Sequence, residues 1–209
     1  MKKLTDKLTF PDYSETDKFG IIAYGGDLSV ERLKLAYQKG IFPWFNENEP
    51  ILWWFPDPRF VLFPDELKVS KSMKKILRDE IFTITENLAF EQVILNCSKI
   101  KRSGQKGTWI TNEMMNAYLN LHQEGIAKSV EVWQKEELVG GFYGVERGNI
   151  FCGESMFAKV SNASKTGFIY FVQKYADKYD LIDCQVYTEH LESLGAREIL
   201  AEEFISYLF

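Results

Sequence analysis

The run Gly148-Asn149-Ile150-Phe151-Cys152-Gly153-Glu154-Ser155-Met156-Phe157, answered further on by Leu181-Ile182-Asp183-Cys184-Gln185, decides the fold of this chain. Asn149–Ser155 reads as a strand, and so do Lys128–Trp133 and Leu138–Val145 before it. Short polar or glycine-containing turns separate the three, as in an antiparallel meander. An amphipathic helix follows, with Phe168, Phe171, Val172 and Tyr175 on one side, and Leu181–Val186 then returns as a strand by a crossover. Within Asp183-Cys184-Gln185 the period of two predicts both polar side chains on one face and Cys184 on the other. A carboxylate beside a carboxamide in apolar strands is costly to bury without partners, so the pair belongs either to a satisfied core network or to a reactive site.

Upstream, the same order continues. Ile81–Thr85 reads as a strand, Leu88 to Lys99 as a helix, and Asn112 to Glu124 as a second helix with Thr111 as cap and Gly125 as stop. The series β-α-α-β-β-β-α-β is the order of an acetyltransferase-like fold of the GCN5-related type, in the α/β (α+β) class. Residues 63–209 are therefore expected to form an acetyltransferase-like catalytic domain, and residues 1–62 a small N-terminal lobe. In that lobe Ser29 to Lys39 reads as a short helix closed by Gly40. Pro43, Pro50, Pro56, Pro58 and Pro64 then predict irregular chain around Trp44, Trp53 and Trp54.

Composition narrows the function. No apolar run approaches the ~20 residues that span a bilayer, and no apolar stretch follows the basic N-terminus, so neither membrane insertion nor export is expected. Three cysteines without CxxC spacing suggest neither disulfides nor zinc. With His122 and His190 the only histidines, and no GxxxxGK, neither a metal nor ATP is expected as a cofactor. The net charge of −5 argues against indiscriminate nucleic-acid coating. Cations nevertheless cluster twice: Lys68, Lys71, Lys74, Lys75 and Arg78, then Lys99, Lys101, Arg102 and Lys106. Such runs are solvated faces or phosphate contacts.

Taken together, a set of motifs resembles the leucyl/phenylalanyl-tRNA–protein transferase family over nearly the whole chain. They are Gly25-Gly26-Asp27-Leu28, Gly40-Ile41-Phe42-Pro43-Trp44-Phe45, Trp53-Trp54-Phe55-Pro56-Asp57-Pro58-Arg59, Thr108-Trp109-Ile110, Ser129-Val130-Glu131-Val132-Trp133 and Leu138-Val139-Gly140-Gly141. The Glu154 run, Asn162-Ala163-Ser164-Lys165 and His190-Leu191-Glu192-Ser193-Leu194-Gly195-Ala196 complete it.

The resemblance implies a cytoplasmic aminoacyltransferase that needs no cofactor. It would take Leu, Phe or, less often, Met from aminoacyl-tRNA to the α-amino group of proteins with N-terminal Arg or Lys, tagging them for degradation. By resemblance Asp183 and Gln185 are catalytic: the Gln185 carboxamide oxygen approaches the amine while Asp183 holds its amide group. Glu154 belongs by resemblance to the acceptor side, because a basic N-terminal residue demands a carboxylate. Trp109, Tyr118, Phe142, Phe151, Phe171 and Ile182 match the aminoacyl pocket, and Lys71, Lys74, Lys75 and Arg78 are expected to meet tRNA. Relatives often carry Leu or Met at position 142, so Phe142 is expected to narrow the pocket. They commonly have histidine in place of Lys128, which rules out a histidine there as a necessary base. The competing readings are an acetyl-CoA N-acyltransferase on the same fold, disfavoured by the absence of glycine in Met156–Asn162, and a non-catalytic RNA-binding module.

Overall fold

The computed structural model describes residues 1–100 and 108–209. Lys101, Arg102 and Lys106 of the second basic run lie outside the described residues. Two sheets organise the described residues. The smaller takes β1 (Lys2–Leu4), β2 (Ile21–Gly25), β3 (Phe42–Pro43) and β4 (Leu52–Trp54) in the order β1-β2-β4-β3. The larger contains β5 (Arg59–Leu62), β6 (Thr83–Glu86), β7 (Ala127–Gln134), β8 (Glu137–Arg147), β9 (Ile150–Ala158), β10 (Leu181–Gln185) and β11 (Arg197–Ile199). Its order is β11-β5-β10-β9-β8-β7-β6. Within it β9 and β10 run parallel, and the other neighbours are antiparallel.

Seven α-helices complete the described chain: α1 (Val30–Gln38), α2 (Lys71–Arg78), α3 (Phe90–Lys99), α4 (Asn112–Gln123), α5 (Ala163–Lys174), α6 (Glu189–Glu192) and α7 (Ala201–Ser206). From β6 to β10 the sequence of elements is β-α-α-β-β-β-α-β, the acetyltransferase-like order. Ser29 and Thr111 cap α1 and α4 by accepting the Arg32 and Met114 N–H groups.

Alternation along the central strands divides the interior. Tyr143, Cys152 and Leu181 face one apolar cluster, shared with α1, α3, α4 and the smaller sheet. Phe142, Phe151 and Ile182 face the other, shared with α5 and α6. Ile22 and Trp53 of the smaller sheet belong to the same continuous core as Val93 and Tyr143.

The tryptophan segment differs from the reading above. Trp53 and Trp54 lie on β4, paired with β2 and β3, and only Trp44 lies outside a strand. The prolines flank this strand without occupying it, so they bound it and do not break it. Trp53 is fully buried and donates its indole N–H to the Gly25 carbonyl at 2.9 Å. The Gly-Gly-Asp-Leu motif is likewise structural. Asp27 pairs with the buried Arg32 at 3.0 Å, while Gly26, at φ +77°, leaves room for that guanidinium.

Gly40 ends α1 in a Schellman arrangement: its N–H bonds to the Tyr37 carbonyl at 3.0 Å and that of Ile41 to Ala36 at 2.9 Å. Its φ is +65°, and an added Cβ would stand 2.6 Å from the buried Phe204 ring. Gly40→Ala is therefore expected to lower unfolding free energy by about 1–3 kcal/mol, read by urea denaturation.

Candidate active site

A cavity of about 560 Å³ opens where β9 and β10 diverge. The two strands are paired from Leu181↔Ile150 to Asp183↔Cys152, and beyond that point both walls turn to the cavity. Gly153 to Ala158 form one wall, and Cys184 to Thr188 form the other. Phe42 and Pro43 of β3, with Trp44 after them, line its remaining side.

The expected alternation fails at Asp183-Cys184-Gln185. Pairing between β10 and β5 shifts register between Asp183 and Gln185, and Gln185 takes a left-handed φ of +66°. This bulge brings Cys184 and Gln185 together onto the cavity wall and leaves Asp183 behind it, fully buried.

Arg59 meets Asp183 there. Its Nε donates to Oδ1 at 2.8 Å and its Nη2 to Oδ2 at 2.5 Å, both groups being inaccessible. The guanidinium also lies 4.9 Å from the Phe42 ring and 4.5 Å from that of Phe204. Arg59 ends the Trp53–Arg59 motif without a local partner; Asp183 lies 124 residues away, beyond any local pattern.

Gln185 is held at both ends. Its main-chain N–H donates to Asp183 Oδ1 at 2.9 Å, and its Nε2 donates to Glu154 Oε1 at 2.8 Å. The side-chain amide is thus held by Glu154, and Asp183 holds the main chain. Glu154 accepts two further bonds, from Tyr37 at 2.7 Å and Tyr118 at 2.8 Å. Tyr37 is not among the residues expected from sequence; it sits on the buried face of α1, where its spacing is that of a core residue. Burial pushes the Glu154 carboxyl up to about 7, against the three hydrogen bonds that favour its charge. Burial likewise raises the Tyr37 and Tyr118 hydroxyls, so both stay protonated donors.

Of the six pocket candidates, Trp109, Phe142 and Ile182 line the cavity. Phe151 and Phe171 stand behind Phe142, edge-on at 6.2 and 5.4 Å between ring centres. Tyr118 contributes through Glu154. Lys71, Lys74, Lys75 and Arg78 are exposed on α2, away from the cavity wall, and Arg78 is paired with Asp79 at 3.0 Å.

A sequence profile described as leucyl/phenylalanyl-tRNA protein transferase matches residues 61–209, and one for the N-terminal domain of the same family matches residues 26–57. A leucyl/phenylalanyl-tRNA–protein transferase of Flavobacterium johnsoniae is 64% identical, covering 100% of this chain and 99% of the relative. One of Flavobacterium psychrophilum is 54% identical with the same coverage. Among solved structures, a GCN5-related N-acetyltransferase from Kribbella flavida is 8% identical over 78% of this chain and 58% of its own, with a TM-score of 0.38.

Because Arg59 and Asp183 are buried as a pair, losing one strands the other's charge. Arg59→Met alone should cost about 3–5 kcal/mol of stability in urea unfolding, and Arg59→Met with Asp183→Asn should recover much of it.

Proposed function

The chain belongs to the leucyl/phenylalanyl-tRNA–protein transferase family, and from that premise we propose that it moves Leu, Phe and, less often, Met from tRNA to proteins beginning with Arg or Lys. The product would be marked for degradation, and the place of work would be the cytoplasm. One observation carries the acceptor assignment: Glu154 faces the cavity with three neutral donors and, among the described residues, no cation within ion-pair distance. A cation from the substrate completes that site.

The reaction needs an oriented amine and a stabilised tetrahedral intermediate. The amine nitrogen bonds to the ester carbonyl carbon, the carbon–oxygen bond to the ribose breaks, and the ribose oxygen ends with the proton the amine releases. With Nε2 tied to Glu154, the Gln185 carboxamide oxygen is the end that meets the amine. Asp183 acts on this group through the Gln185 main chain. The donor side chain would lie against Trp109, Phe142 and Ile182, with Phe151 and Phe171 fixing the Phe142 ring. One methylene is worth only ~1–3 kcal/mol in such a pocket, so donor preference would be graded. In the proposed division, residues 1–62 act as a lobe closing the cavity through Phe42 and Trp44, and residues 63–209 carry Glu154 and Gln185. The exposed cations of α2 would take tRNA phosphate. The connection from β9 to α5 is Lys159–Asn162 without glycine, which does not favour a pyrophosphate-bearing donor such as acetyl-CoA.

Charged Leu-tRNA and an Arg-initiated peptide should yield a peptide heavier by one leucine residue, while an Ala-initiated peptide stays unchanged. Gln185→Ala should slow transfer by about 10²–10³. Absence of any mass gain with Leu-, Phe- and Met-tRNA would overturn the reading.

A pH profile tests Glu154. Its raised carboxyl is charged above about 7 and protonated below. With saturating tRNA, kcat/KM for the Arg-initiated peptide should fall more steeply below that value than loss of the proton from the peptide's own α-amine requires. Glu154→Gln should be weak throughout and keep only the α-amine limb.

A further inference from the structure

β9 has a strand on each side for only part of its length. Against β10 it is paired from Ile150 to Cys152 and no further, whereas its pairing with β8 continues to Ala158. From Gly153 onward one edge of β9 therefore borders the cavity and not a neighbouring strand. Strand edges of this kind carry N–H and C=O groups that a further strand can satisfy.

Register shows which groups these are. The Lys159 N–H donates to the Val139 carbonyl at 2.7 Å, one step beyond the Gly140↔Ala158 pair. Antiparallel neighbours alternate between hydrogen-bonded and non-bonded pairs. Lys159, Phe157 and Ser155 thus turn their main-chain groups to β8, while Ala158 and Met156 turn theirs to the cavity side. Neither Met156 nor Ala158 has a main-chain partner there among the described residues. Glu154 and the Gln185 amide stand at the end where β10 turns away, and Ala158 is exposed at the other.

We infer that the main chain of the acceptor peptide adds to this edge as a short strand parallel to β9, taking up the ladder where β10 leaves it. The inference rests on the transfer reading given above and goes beyond it by placing the part of the acceptor that follows its basic residue. The direction is set by the two ends. The α-amine has to reach Gln185 and Glu154, and the rest of an acceptor protein has to leave the cavity, so the chain runs from Glu154 towards the exposed Ala158, in the same sense as β9. The peptide's first residue then lies opposite Ser155 and its third opposite Phe157. In the parallel pattern the first residue's C=O accepts the Met156 N–H. The third makes two bonds: its N–H donates to the Met156 carbonyl, and its C=O accepts the Ala158 N–H. The second and fourth residues turn their main-chain groups away from β9. A nucleotide backbone has no N–H to offer this edge, which favours the peptide over the donor as its occupant. A main-chain ladder is indifferent to side chains, so many sequences can follow the one residue that Glu154 selects.

The test uses Leu-tRNA and Arg-initiated pentapeptides in which one amide at a time is replaced by an ester, removing a single N–H donor with little change of shape. Transfer to the all-amide peptide is the control for the reading itself; its failure would sink that reading before the edge is probed. An ester in place of the third residue's N–H should lower kcat/KM about fivefold, the worth of one neutral hydrogen bond, while esters at the second and fourth stay near the all-amide value. On the protein side, Ala158→Pro removes the N–H that faces the cavity and breaks no bond to β8. With the thermal midpoint kept, it should raise KM for the pentapeptide about fivefold relative to an Arg-initiated dipeptide amide, which has no third carbonyl. If that variant does not fold, the ester series decides alone. Equal losses at the second, third and fourth positions, or no loss at any, overturn the strand, as does an equal rise in KM for both acceptors in a folded Ala158→Pro. In each case the acceptor is held by its first residue and not by a ladder.

Discussion

A guanidinium with no access to water sets the geometry of this site. Arg59 carries its charge into the interior, where an unpaired cation would be very costly. Two hydrogen bonds to Asp183 and the faces of Phe42 and Phe204 are what make it tolerable. The remaining nitrogen, Nη1, has no hydrogen-bond partner, so the ion pair and aromatic rings must hold the group. The pair also joins β5 to β10. Asp183 then fixes the next step of the chain by accepting the Gln185 N–H, and that bond supports the left-handed turn at Gln185. The bulge at the cavity wall is thus tied to a charge pair one layer behind it.

The two carboxylates of the site live in opposite surroundings. Asp183 has a cation at 2.5 Å, whereas Glu154 has only hydroxyl and amide donors. Environment therefore separates them: Asp183 is tied into a buried ion pair, and Glu154 is a carboxylate whose protonation changes near neutrality. Glu154 is reached by Tyr37 from α1 and Tyr118 from α4, whose hydroxyl oxygens stand 2.6 Å apart. Tyr37 lies on α1 and Arg59 on β5, so the cavity wall is supported by residues far upstream of Glu154 and Gln185.

Much of this was legible in sequence wherever the cause is local. The meander β7–β9, the capped helices α1 and α4, and the crossover to β10 follow from alternation, caps and turn residues over short spans. The smaller sheet was not legible, because its strands are short and proline-flanked and are stabilised by pairing across distance, as β1 with β2. Arg59–Leu62 is buried at every position and has no alternation to read. The Asp183/Gln185 pair could be singled out by residue type, but not its bulge: the register shift depends on β5, an antiparallel partner from far up the chain. Tyr37 shows the same limit, since core spacing conceals a hydroxyl that bonds Glu154, 117 residues on.

The charge distribution gives the remaining constraint. A net-acidic protein repels nucleic acid over most of its surface and attracts cationic peptides. Under the proposed reading the two substrates have opposite charge, so one cavity must admit both without a common electrostatic funnel. The described groups are arranged to allow this. The carboxylate lies inside the cavity, enclosed by neutral donors, whereas the exposed lysines of α2 lie outside it. On that reading a polyanion would gain its contacts without passing Glu154, while a cationic N-terminus would gain its own only by entering fully. Reversing the two positions would set the donor's phosphates against a buried carboxylate, so the placement of these charges constrains the direction from which each substrate enters.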